Sequence, residues 1–175
     1  MKALVAAVGL SLMLGFVQQP PDDLNIVADP GADFSRFKTF AFRVGKIDSP
    51  RPEIDNPLFA KRMTKTIRTA LATRGLREVV ARPDLLVDFS ISSGDVNTQQ
   101  RGGGRGIGPQ PLRYTVGLLT IDLSLPGNQT PVWRGVYRDG EMTGSKLMQK
   151  LPEDARKLIA KYNVRSPGLQ PRKLF

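Results

Sequence analysis

The sequence predicts an α+β fold: a mostly antiparallel sheet of about five strands with two helices packed on one face, in the order ββαβββα. Three observations point there. Leu85, Val87, Phe89 and Ile91 alternate with Leu86, Asp88 and Ser90, the two-residue period of a half-buried strand. Pro126-Gly127-Asn128-Gln129 separates two strand-like runs, and so short a connection forces antiparallel neighbours. Two stretches, 57–74 and 145–162, carry apolar residues at helical spacing and suffice to cover one sheet face.

Each element follows from local chemistry. Leu24, Ile26 and Ala28 against Asn25, Val27 and Asp29 predict a first strand, closed by the turn signal Asp29-Pro30-Gly31. Thr39 to Val44 places Phe40, Phe42 and Val44 on one face of a second strand, with Phe34 and Phe37 packed under the connection. Asn56 can cap a helix and Pro57 suits its first position. Phe59, Met63, Ile67, Ala70 and Leu71 form its apolar stripe, and Gly75 is its stop. Strand 84–92 is followed by an expected loop, Ser93 to Pro111, rich in Gly, Gln and Arg. Arg113 to Leu125 reads as a long strand whose apolar face changes sides near Gly117, which predicts a bulge there. Val132 to Asp139 returns as the next strand. In the last helix Leu147, Met148, Leu151, Ala155, Leu158, Ile159 and Tyr162 form the stripe, and Pro152 either kinks the helix or begins its main part.

Composition excludes much chemistry. The 175 residues include no cysteine and no histidine. Disulfides, thiol nucleophiles and cysteine metal sites are therefore absent, and so are the commonest general base and the commonest transition-metal ligand. A formal net charge of +10 attracts polyanions, or serves solubility alone.

Residues 1–19 read as a signal peptide. Lys2 supplies the positive start, an apolar or small run extends from Ala3 to Val17, and Gln18 to Asp23 ends it abruptly. Cleavage is expected near Gly15 or after the glutamines; an uncleaved N-terminal anchor is the alternative. A single domain then spans 23–162, and 163–175 is a basic C-terminal tail.

Several segments together resemble the bacterial domain-of-unknown-function family 4136. They are Asp33-Phe34-Ser35-Arg36-Phe37-Lys38-Thr39-Phe40-Ala41, Asn56-Pro57-Leu58, Arg74-Gly75-Leu76, Pro83-Asp84-Leu85-Leu86-Val87 and Val132-Trp133-Arg134-Gly135, spread over roughly residues 23–162. The resemblance implies a signal-bearing envelope protein, often a lipoprotein, with a sheet-and-helix fold and no known enzyme activity or ligand. This chain departs from the lipoprotein pattern because it has no anchoring Cys, which favours a soluble periplasmic or secreted protein.

Four features are candidates for function. The tract Arg101-Gly102-Gly103-Gly104-Arg105-Gly106-Ile107-Gly108 has the glycines of a phosphate cradle or an RNA-binding tract, but Pro109, Pro111 and a strand follow it, so a flexible hairpin loop is the reading. Lys61, Lys65 and Arg68 lie one turn apart on the first helix, with Arg62 and Arg74 nearby and no acidic residue from Pro57 to Arg74. Like charges at that spacing repel, so this face is either a solvated surface or an anion-binding one. Asp84, Asp88, Asp122, Asp139 and Glu141 offer carboxylates for acid–base work, or partners for Arg134 and Arg138. Trp133 and Tyr137 share a face of their strand and form either a stacking platform or core.

The expectation is an exported, non-enzymatic binding or scaffolding domain of the cell envelope, without cofactor or nucleic-acid partner. Its partner would be an envelope protein or an anionic envelope component. A binder of anionic lipid or lipopolysaccharide through Lys61, Lys65 and Arg68, in peripheral contact with the membrane, is the second reading. A carboxylate-only hydrolase is the third.

Overall fold

The computed structural model describes residues 23–43, 45–100, 110–127, 130–141 and 143–162. The leader, the glycine-rich tract, Val44 and the basic tail lie outside the described residues.

The fold is α+β, with two helices and a mixed sheet of seven strands. In chain order these are β1 (Asp23–Ala28), β2 (Thr39–Phe42), β3 (Lys46–Asp48), α1 (Pro57–Ala72), β4 (Arg77–Glu78), β5 (Leu85–Gln100), β6 (Gln110–Ser124), β7 (Pro131–Glu141) and α2 (Gly144–Ala160). The sheet order is β1-β7-β6-β5-β2-β4, with β3 pairing β5 beside that path. β1, β7, β6 and β5 are antiparallel, each to its neighbour, whereas β2 and β3 run parallel to β5 and β2 runs parallel to β4.

Two of the seven strands correct the expected five. β3 has three residues and β4 two, too few to carry any period. β4 is made by the end of α1. Gly75, at φ 82°, turns the chain so that the Leu76 N–H donates to the Leu71 carbonyl, and Arg77 N–H and Val79 N–H then donate to Lys38 and Phe40 carbonyls. The expected loop 93–111 is also corrected. The β5–β6 ladder continues without a break from Ser93↔Gly117 to Gln100↔Gln110. Backbone pairing needs no apolar side chains.

The bulge expected near Gly117 is elsewhere, at Leu123/Ser124 opposite β7. Gly117 stays on the core face with Thr115, Leu119 and Ile121, all buried. A Cβ at Gly117 would lie 2.6 Å from Leu147 Cδ1, so the glycine is a seat for α2. Thr143 caps α2, its side chain accepting from the Lys146 N–H, and the helix continues through buried Pro152. Asn56 caps α1 as expected, accepting from the Phe59 N–H at 2.8 Å.

One core lies between the sheet and both helices. Phe59, Met63, Ile67 and Leu71 of α1 and Leu147, Leu151, Leu158 and Ile159 of α2 meet Phe40, Leu85, Val87, Ile91, Leu119, Ile121 and Leu123 of the sheet. Trp133 and Tyr137 are 2% and 4% exposed, which makes them core and removes them as a stacking platform. Tyr162 packs edge-on against Phe34 and Trp133, with ring centroids 5.6 and 6.0 Å away. Burial pushes its phenol up to about 12, and the hydroxyl has no hydrogen-bond partner among the described residues. Tyr162→Phe therefore removes an unsatisfied buried polar atom and keeps the ring contacts. The variant should match or exceed the parent in stability, by up to roughly 1 kcal/mol in urea unfolding.

Candidate functional site

Two clusters stand apart from ordinary packing: the outward face of α1 and a buried acid pair beneath α2.

The stripe of α1 that faces the core is Phe59, Met63, Ile67, Ala70 and Leu71. At 100° per residue the opposite pole carries Leu58, Lys61, Lys65 and Ala72, with Arg62 and Arg68 to either side. Lys61, Arg62 and Lys65 are exposed, and none has an ion-pair partner among the described residues. Leu58, 81% exposed, sits one turn before them. Arg68 departs from the expected set. Its guanidinium binds the Glu78 carboxylate through two nitrogens, the Nη2–Oε1 contact being 3.1 Å, and it lies over the Phe42 ring at 5.5 Å from the centroid. That hydrogen bonding raises the Arg68 pKa. Glu78 is ten residues away in sequence and reaches Arg68 only because β4 returns beside β2. Arg74 is also occupied, donating to the Ala160 carbonyl at the end of α2 at 2.6 Å. Of the three predicted anion-binding residues, Lys61 and Lys65 have no ion-pair partner among the described residues, whereas Arg68 is paired with Glu78.

An open depression of about 510 Å³ lies beside this face. Phe40 and Leu76 contribute apolar lining, while Arg68, Arg77 and Glu78 contribute charge.

The acidic candidates separate. Asp84 is structural: one carboxylate oxygen accepts from Lys38 N–H, Thr39 N–H and the Thr39 hydroxyl at 2.9, 2.9 and 2.8 Å, which fixes the start of β2 against β5. These bonds, the Lys38 amide foremost, lower its pKa. Asp88 and Asp122 lie opposite each other on the face away from the helices. Arg43 contacts Asp88 at 2.8 Å, and Arg134 grips Asp122 with two bonds of 2.7 Å. Partial burial raises the Asp88 pKa, against the pull of Arg43 and with the push of Asp122. The expectation that Arg134 pairs with a carboxylate of this set is met. Glu141 ends β7.

Asp139 belongs to the interior, 1% exposed, with Lys150 Nζ at 3.1 Å. Its neighbour is Asp154 on α2, fully buried, which sequence reading misses. Burial raises Asp154 to about 7, the charge of Asp139 adds to the rise, and Lys157 opposes it. Lys157 reaches Asp154 at 3.4 Å and Glu153 at 3.3 Å, and its ammonium lies 5.5 Å from the centre of the Tyr137 ring. Two neighbouring buried carboxyls cannot both ionise cheaply, so Asp154 holds its proton to higher pH than a free carboxyl does. A signal exists in the sequence. Asp154 interrupts the stripe Leu147, Leu151, Ala155 and Leu158, where an acidic residue has no business unless its charge is suppressed or matched.

Among the described residues no group of three or more His, Cys, Asp or Glu is placed to hold a metal ion, and no helix is long and apolar enough to cross a membrane.

No relative among curated protein sequences matches the chain. Solved structures do. The PelC dodecamer from Paraburkholderia phytofirmans is 17% identical, with 84% of this chain and 96% of that one covered, at a TM-score of 0.44. A putative neuraminyllactose-binding hemagglutinin homolog from Helicobacter pylori is 10% identical over 72% and 81% of the two chains, at 0.49. A DUF4136 family protein from Bacteroides thetaiotaomicron is 13% identical over 79% and 92%, at 0.44. The family model for the domain of unknown function DUF4136 matches residues 25–162, from within β1 to just past the end of α2, and the chain belongs to that family.

Proposed function

We propose that this chain is an exported cell-envelope domain that binds or scaffolds another envelope component and carries out no reaction of its own. The observation that carries the reading is the apolar run from Ala3 to Val17 behind Lys2, cut off by Gln18 to Asp23. Membership of a family with no assigned chemistry is consistent with it. So is a sequence without His or Cys. Alkaline phosphatase fused after residue 30 should be active, because that enzyme matures only outside the cytoplasm. An inactive fusion, rescued by a known export signal, would refute export.

The exposed α1 face favours a second reading, adhesion to anionic lipid or lipopolysaccharide phosphates. Lys61, Arg62 and Lys65 carry three charges without an ion-pair partner among the described residues, around Leu58, an apolar side chain already in solvent. Each such cation contributes about 1 kcal/mol near an anionic membrane. The double variant Lys61→Glu/Lys65→Glu should bind phosphatidylglycerol-containing vesicles at least ~10-fold more weakly, and the parent should lose binding as salt rises. Parent binding that the double variant leaves unchanged would remove α1 from this reading.

A further inference from the structure

The two ends of the sheet are built differently. One end is β4, two residues long and made of Arg77 and Glu78. Shortness and charge are standard protection for an exposed strand edge. The other end is β1, six residues long, and from Leu24 to Ala28 it holds no charge and no proline. Its pairing with β7 has no bulge, and Val27 is 58% exposed. No described strand pairs with its far side.

The free edge has a definite hydrogen-bonding face. Asp29 N–H donates to the Val132 carbonyl at 2.8 Å, in the same antiparallel register that sets Ala28 opposite Trp133. Bonding groups alternate along an antiparallel strand. Val27 and Asn25 therefore bond toward β7 with Asp29, while Leu24, Ile26 and Ala28 turn their N–H and C=O groups outward. The side chains of Leu24, Ile26 and Ala28 pack against the core, leaving Asn25 and Val27 on the outer face.

This pattern is complementary to itself. A second copy laid antiparallel about Ile26 puts Ile26 opposite Ile26 and Leu24 opposite Ala28 on the helix side, and Asn25 opposite Val27 on the outer side. The three outward-bonding positions then meet one another, at two bonds per pair. Only Asp23 opposite Asp29 opposes the arrangement, at each end, and salt screens that repulsion.

We propose that β1 is a self-pairing edge through which two copies of this chain join antiparallel about Ile26 into one continuous sheet. The inference is independent of the envelope reading. A short edge-to-edge contact makes a weak interface, with dissociation on the order of tens of micromolar.

Sedimentation velocity of the chain purified from an exporting host should show a dimer that grows with concentration up to ~200 μM and strengthens with added salt. Val27→Lys and Asn25→Glu both alter exposed side chains and should leave the melting temperature within a few degrees of the parent. Each alone should weaken the dimer at least ~10-fold. Mixing the two variants in equal amounts should restore it, because the ammonium introduced in one copy then faces the carboxylate introduced in the other. Hydrogen exchange of the unmodified chain should show Leu24, Ile26 and Ala28 amides protected in the dimer. A monomer at every concentration overturns the proposal, as does a dimer indifferent to both substitutions, and so does protection of those three amides in a monomer.

Discussion

Asp154→Asn is expected to be more stable than the parent at pH 8 and to lose most of the parent's decline in stability between pH 4 and pH 7. The sign follows from where the proton sits. In the unfolded chain the carboxyl releases its proton near its ordinary value of 3.8, and in the folded chain, buried beside Asp139, it holds the proton to about 7. Between those values the folded state binds a proton that the unfolded state has given up. The stabilisation is therefore fully present below about pH 4, falls as pH rises through 7 and is flat beyond. The separation corresponds to at most about 4 kcal/mol, and coupling to Asp139 and Lys157 reduces it. Asparagine occupies the same volume, carries no charge and can donate to the Asp139 carboxylate as the protonated acid does. Urea unfolding of both chains at pH 5 and pH 8 measures the difference. Equal pH slopes would mean that Asp154 is already ionised in the folded chain.

Gly117→Ala should cost about 1–3 kcal/mol, far more than the same change at a solvent-facing strand position. The added Cβ would approach Leu147 Cδ1, Cδ2 and Cγ at 2.6, 2.8 and 3.1 Å, and Leu147 is fully buried with nowhere to retreat. Leu147→Ala alone should cost about 2–5 kcal/mol through the cavity it leaves. The two effects should not add. In the double variant the new methyl enters the space Leu147 vacates, so its total should fall below the sum by about 1 kcal/mol or more. Additive costs would show that α2 does not rest on Gly117.

Most of the scaffold is legible in the sequence because it is periodic. The alternation in β5, the hairpin before β7, the Asn56-Pro57 start of α1 and both apolar stripes each follow from local spacing. What escapes depends on contacts between distant segments. β4 exists because Gly75 returns the chain to β2, and two residues carry no pattern of their own. The parallel pairing of β2 with β5 spans the whole of α1. Gly117 reads as a bulge because a missing side chain looks like a break in the stripe, when the gap is filled from α2. Spacing finds the basic face but not the Arg68–Glu78 pair, because Glu78 lies on another element. Asp154 hides because its neighbours fit a helix so well.

The proposed role depends on delivery of this domain out of the cytoplasm. Osmotic-shock fractionation of the native cell, with N-terminal sequencing of the recovered chain, tests it most directly. The expected product is released with periplasmic proteins and begins between Phe16 and Pro20, its apolar leader removed. A chain that still begins at Met1 and dissolves with cytosolic markers would contradict export and the envelope role with it.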